Sequence, residues 1–142
     1  MSNPSNECVD ASPFGDVVYT YTRAQALADG VLVDASTLAQ EAGFVLPVAL
    51  TAAAWDDCVA WTEHSSRKQV HQDESGRLWD VLFMAAHAIR TQAGAGTSQR
   101  FWLHRVPRNG RSAQAAPVQL KLVIGPGDDG KPVVTILLPQ ED

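Results

Sequence analysis

The chain has 142 residues, 45% hydrophobic and 19% charged, and carries a formal net charge of −5. That length matches one ordinary domain, and that composition buries a core, which excludes a chain disordered throughout. No apolar run approaches the ~20 residues a membrane-spanning helix needs, and the start "MSNPSNECVDASPFG" has neither the basic region nor the apolar block of a secretory signal.

No membrane partner is therefore expected, and the expected location is the cytoplasm. Cys8 and Cys58 are then expected to be reduced, with Cys8 in a loose tail and Cys58 in the core. Two cysteines without a neighbouring ligand pattern give no zinc site, and no metal or cofactor is expected.

Residues 1–14, rich in Ser, Asn, Pro and Asp, read as a mobile tail, leaving 15–142 as a single globular domain. A strand fits "DVVYTYT" (16–22), where β-branched and aromatic residues dominate. "RAQALADG" is a short helix stopped by Gly30, and "VLVDAS" (31–36) is a short strand. Ser36 is expected to cap a second short helix, "TLAQEAG", which ends at Gly43. Thr51 is an N-cap for "AAAWDDCVAW", whose Trp55, Cys58, Val59 and Thr62 follow the helical spacing of one buried face. "TEHSSRKQVHQDES" lacks a stripe and reads as a connection with helical ends.

"DESGRLWDVLFMAAHAIRTQ" (73–92) is the strongest helix. Apolar residues cover most of its circumference, which marks a central core helix. Its polar positions Arg77, Asp80, His87 and Thr91 form one narrow stripe. Three strands follow: "RFWLHRVP" (100–107), "VQLKLVIG" (118–125) and "PVVTILLP" (132–139). The turn signals Asn109-Gly110 and "GPGDDGK" separate them, so an antiparallel meander is expected. Of the four tryptophans, most are expected inside. The fold class is α+β, a mainly antiparallel sheet of the C-terminal meander plus the N-terminal strand, packed on the long helix and shorter ones.

The combination "YTRAQALADGVLVD … GRLWDVL … GPGDDG", with "PVALTAAAWDDCVAW" and "LKLVIGPGDDGKPVVTILLP", resembles an uncharacterised family of small bacterial proteins encoded on plasmids and integrative elements. The resemblance covers roughly residues 17 to 142. It implies a setting in bacterial mobile DNA and brings no assigned catalytic residues.

Charge is unevenly placed. Residues 1–63 carry nine acids and one base, a net −8, whereas residues 64–142 carry ten bases and seven acids, a net +3. Within the second half, "RFWLHRVPRNGR" interleaves arginines with aromatics. Arg100, Trp102, His104, Arg105, Arg108 and Arg111 are accordingly the candidate partner-binding residues. Protein contact is the favoured use of that face; phosphate pairing with base stacking is the alternative.

Enzyme chemistry has weaker support. The strand–helix–glycine entry "YTYTRAQALADG" faintly resembles that of ADP-ribosyltransferases, which implies Tyr19, Tyr21 and Arg23 as cofactor contacts. The His-Gly-Thr-like triplet of that family is absent, and no late acid sits on a strand. The plainer role for Arg23 is to pair an acid at the helix edge. Asp80 and His87 share a helix face, where the carboxylate would orient a general base, although such pairs more often only satisfy polar groups at a helix–sheet boundary. No H-x-x-x-H, H-E-x-x-H or G-x-S-x-G occurs, and the acids of "GPGDDGK" would repel phosphate.

Three readings follow. The leading one is a non-enzymatic protein-binding protein of a mobile element, in concrete form an inhibitor of a host defence system (CRISPR or restriction). The second is a nucleotide-handling enzyme using Tyr21, Arg23, Asp80 and His87. The third is a nucleic-acid-binding accessory protein using Arg100, Arg105, Arg108 and Arg111.

Overall fold

The computed structural model describes residues 21–92 and 96–141. The strand expected over 16–22 lies outside the described residues except for Tyr21 and Thr22, as do Cys8 and Tyr19. Thr22 is not in a strand. Its hydroxyl accepts from the Gln25 N–H, and the Gln25 side chain accepts from the Thr22 N–H. This reciprocal cap starts helix α1 (Arg23–Asp29). Gly30, at φ 79°, ends it in the left-handed region that only glycine enters freely.

Strand β1 (Leu32–Asp34) and helix α2 (Ser36–Glu41) follow. Ser36 is not the cap expected of it. Ala35 holds that position without a side-chain cap, while the Ser36 hydroxyl donates to Asp34 and accepts from the Val48 N–H. Val48 begins strand β2 (Val48–Thr51), which sequence reasoning did not foresee. Its four residues after Pro47 are too few to show a period of two. Thr51 caps helix α3 (Ala52–Cys58) as expected.

Helix α3 stops earlier than its apolar spacing suggested, so Thr62 caps α4 (Glu63–Lys68) instead of extending the buried stripe. Asp73 caps the long helix α5 (Glu74–Thr91). Strands β3 (Ser98–Arg105), β4 (Ala116–Pro126) and β5 (Pro132–Leu137) form the antiparallel meander.

These strands form a five-stranded sheet in the order β1-β2-β5-β4-β3. β2 pairs with β5 in parallel and every other pairing is antiparallel, so the fold is α+β with a mainly antiparallel sheet. One face carries Val48, Leu50, Phe101, Leu103, Leu120, Leu122, Val134 and Ile136, all buried against Leu78, Val81, Leu82 and Ala85 of α5. Each buried aliphatic of Val or Leu size contributes about 1.5–3 kcal/mol relative to exposure. This helix–sheet contact therefore dominates the core.

Helix α5 departs from the all-round apolar helix expected. Phe83 is 47% exposed, whereas Arg77, assigned to the polar stripe, is only 4% exposed. The helix thus turns one side to the sheet and leaves an aromatic edge outside. Trp61 is buried and Trp55 packs partly against the core, but Trp102 is 58% exposed.

Candidate functional site

Alternation along β3 sends Phe101 and Leu103 into the core and leaves Arg100, Trp102 and His104 exposed. β3 is the terminal strand of the sheet among the described residues, so its outer edge adjoins no further strand there. A sheet edge of this kind offers backbone groups to another chain.

Beside it runs an open groove of about 670 Å³. Helix α5 contributes Trp79, Asp80, Phe83 and Met84, and β3 contributes Trp102 and His104. Trp79 and Phe83 are one helical turn apart, which puts them on one face, and their ring centroids are 6.2 Å apart. Sequence reasoning counted Trp79 and Phe83 as core. Helical spacing alone does not reveal that a five-stranded sheet ends before it covers them.

A smaller recess of about 90 Å³ shares the Asp80 and His104 walls of the groove. Arg77 and Arg105 line it, with Cys58 and Gln72. Arg77 donates from Nε to the Val59 carbonyl at 3.0 Å, and from Nη1 to the Val106 carbonyl at 2.9 Å and to Gln72 Oε1 at 2.6 Å. Its guanidinium also lies over the Trp61 ring. Burial lowers its pKa, with Cys58 and Asp57 pulling the other way. Partial burial holds the Asp80 carboxyl above its ordinary value, and Arg77 opposes that shift. Burial, reinforced by Asp57, pushes the Cys58 thiol up to about 12 despite the two nearby arginines. The thiol is therefore not an activated nucleophile.

The remaining basic residues divide. Arg105 pairs with Asp57 at 3.0 Å and Arg108 with Asp56 at 2.7 Å, so α3 supplies counter-charge to both. Arg100 is exposed on β3 opposite Lys121. Arg111 is exposed in the loop after β3, where Asn109 accepts from its N–H and Gln69 accepts from the Gly110 N–H.

Tyr21 and Arg23 lie elsewhere. The Tyr21 hydroxyl donates to Asp29 at 2.8 Å. Arg23 donates its backbone N–H to Asp128 and its guanidinium to Thr135 Oγ1 and the Val134 carbonyl. Thr135 alternates with the buried Val134 and Ile136, so Arg23 reaches the sheet face opposite α5 and does not join Asp80. His87 is exposed two turns beyond Asp80, about 10 Å along the helix axis, and no hydrogen bond joins them.

Among the described residues no group of three or more His, Cys, Asp or Glu is arranged to hold a metal ion, and no helix is long and apolar enough to cross a membrane.

A family model whose description reads "Family of unknown function (DUF6573)" matches residues 10–142. No curated protein and no solved structure matches the chain.

Proposed function

The chain belongs to the family of unknown function DUF6573, and from that premise we propose that it is a non-enzymatic protein-binding protein that docks its partner in the groove between α5 and β3. The observation that carries this reading is the pair of exposed aromatics, Trp102 and Phe83, on the two walls of one groove beside a terminal strand. Large aromatics left in water beside a strand edge are what a docking chain covers, and aromatics dominate binding energy at interfaces.

Within the same proposal, the chain acts from a bacterial mobile element, and its partner is a component of the host's defence machinery. That finer part rests on the family resemblance of "YTRAQALADGVLVD … GRLWDVL … GPGDDG". The nucleic-acid reading draws less support, because Arg105 and Arg108 already pair with acids. The nucleotide reading draws less as well, because Tyr21 and Arg23 serve α1 and β5.

The test is capture from a bacterial lysate by the immobilised full chain, beside Trp102→Ala. A protein retained by the wild type and lost from the variant supports the reading. No stable partner at any salt concentration, or equal retention by both chains, overturns it.

A further inference from the structure

We propose that the recess beside the groove is a carboxylate-binding site whose donors are Arg77 and Arg105. Arg77 is buried, only 4% exposed. Its hydrogen bonds all go to neutral acceptors, the carbonyls of Val59 and Val106 and the amide of Gln72. Among the described residues Nη2 has no partner. Asp57 and Asp80 act on this cation through space, but neither is hydrogen-bonded to it, so a buried donor is left without an acceptor. Arg105 adds a second such atom: its Nη2 pairs with Asp57, but its Nε is buried without a partner among the described residues. Both arginines line the same recess.

Size and charge select the ligand class. About 90 Å³ is the room of roughly three waters in the liquid, enough for a carboxylate and too little for a nucleotide. Asp57 already offsets Arg105, and Asp80 stands on the wall. Two arginines against Asp57 and Asp80 leave the surroundings close to neutral, so the two unpartnered N–H donors, not net charge, hold a monoanion, and Asp80 repels a doubly charged phosphate more strongly. A carboxylate accepts at both oxygens and so serves two guanidinium donors together.

The shared walls at Asp80 and His104 let a carboxylate in the recess belong to a molecule whose apolar part lies in the aromatic groove. That extension rests on the docking reading; the carboxylate site itself does not.

The test is a titration of the full chain with sodium acetate against sodium chloride at equal ionic strength, following the Nε–H signals of Arg77 and Arg105 by NMR. Both signals are expected to move together and saturate with acetate alone. Asp80→Asn, on an exposed position, is expected to tighten acetate binding severalfold by removing the repelling charge. Arg105→Lys is expected to weaken it about tenfold or more, as loss of a charge-assisted hydrogen bond does. N-acetylphenylalanine separates the two sources of the carboxylate. Tighter binding than acetate supports a carboxylate on a docked chain, and equal binding supports a small free acid in the same site. Signals that stay fixed, that move equally with chloride, or whose response Asp80→Asn leaves unchanged would overturn the site. That failure would leave partner capture through Trp102 standing, since the two are read separately.

Discussion

The Arg77 guanidinium lies over the Trp61 ring, 4.5 Å from its centroid, and ties three segments together. Its hydrogen bonds reach Val59 at the end of α3, Gln72 before α5 and Val106 after β3. Removing the side chain leaves two backbone carbonyls without their donor. Arg77→Leu is therefore expected to cost about 3 kcal/mol, the usual scale for breaking a buried charge network. Arg77→Lys restores little, because an ammonium cannot reach in three directions from a planar fork. Urea unfolding with an unchanged m-value checks both. A loss below about 0.5 kcal/mol, the scale of an ordinary surface change, would deny Arg77 this role.

Cys58 is fully buried beside Arg77 and Arg105, yet its thiol is pushed up to about 12. In a Cys8→Ser background, a thiol-reactive disulfide is expected to modify the protein only as fast as it opens, with added urea raising the rate. Prompt reaction of the native chain at neutral pH would contradict the burial. The linkage has a definite sign. Below about 9, the ordinary value, the thiol is protonated in both states. Between about 9 and about 12 the unfolded chain loses the proton and the folded chain keeps it. The unfolded state then binds fewer protons, so this group's contribution to stability falls by about 1.4 kcal/mol per pH unit across the window. Cys58→Ala, which removes the titrating group, is expected to flatten that part of the profile.

The sequence disclosed what depends on short-range pattern. Thr51 announced α3, the apolar run over 73–92 announced α5, and Val118, Leu120, Leu122 and Ile124 alternated toward the core as the meander requires. What it hid depends on where distant segments meet. β2 is a strand because β5 stands parallel beside it, with Leu50 opposite Ile136, 86 positions later, and nothing within "VALT" announces that. Arg77 looked like surface because a polar residue on a helix usually is. Its burial comes from Trp61 and from two carbonyls 18 and 29 positions away. The candidate site was half legible. Trp102, His104 and Arg105 stood out in "RFWLHRVPRNGR", while Phe83 and Arg77 were concealed by the same helix pattern that made α5 easy to find.

Asp128, in the turn between β4 and β5, accepts from the backbone N–H groups of Arg23 at 2.8 Å and Ala24 at 3.0 Å. Those two bonds hold its carboxyl below the ordinary value, with the Arg23 charge helping. A depressed carboxyl stabilises the fold above its unfolded value and loses that contribution as pH falls through the folded one. The anchoring of α1 is thus expected to be intact at neutral pH and to weaken below about pH 4, near the ordinary value for Asp. Amide exchange at Arg23 and Ala24 is the measurement. Asp128→Ala is expected to speed it selectively, leaving exchange in α5 unaltered. Unchanged exchange at both amides would show that the turn does not hold the helix.

Trp102 separates stability from binding. More than half of its surface is already in water, and it stands on the sheet face opposite Phe101 and Leu103. Truncation therefore forfeits little burial, and Trp102→Ala is expected to change unfolding free energy by about 0.5 kcal/mol or less. Phe101→Ala, one position away and 3% exposed, is expected to cost about 3–5 kcal/mol, since it empties a core position. The same pair reverses in tryptophan fluorescence when a partner docks. Covering Trp102 moves its emission to shorter wavelength, and Trp102→Ala removes most of that shift, leaving the smaller part that the half-buried Trp79 of the same groove contributes. A blue shift of undiminished size in Trp102→Ala would place the partner on another face of the molecule.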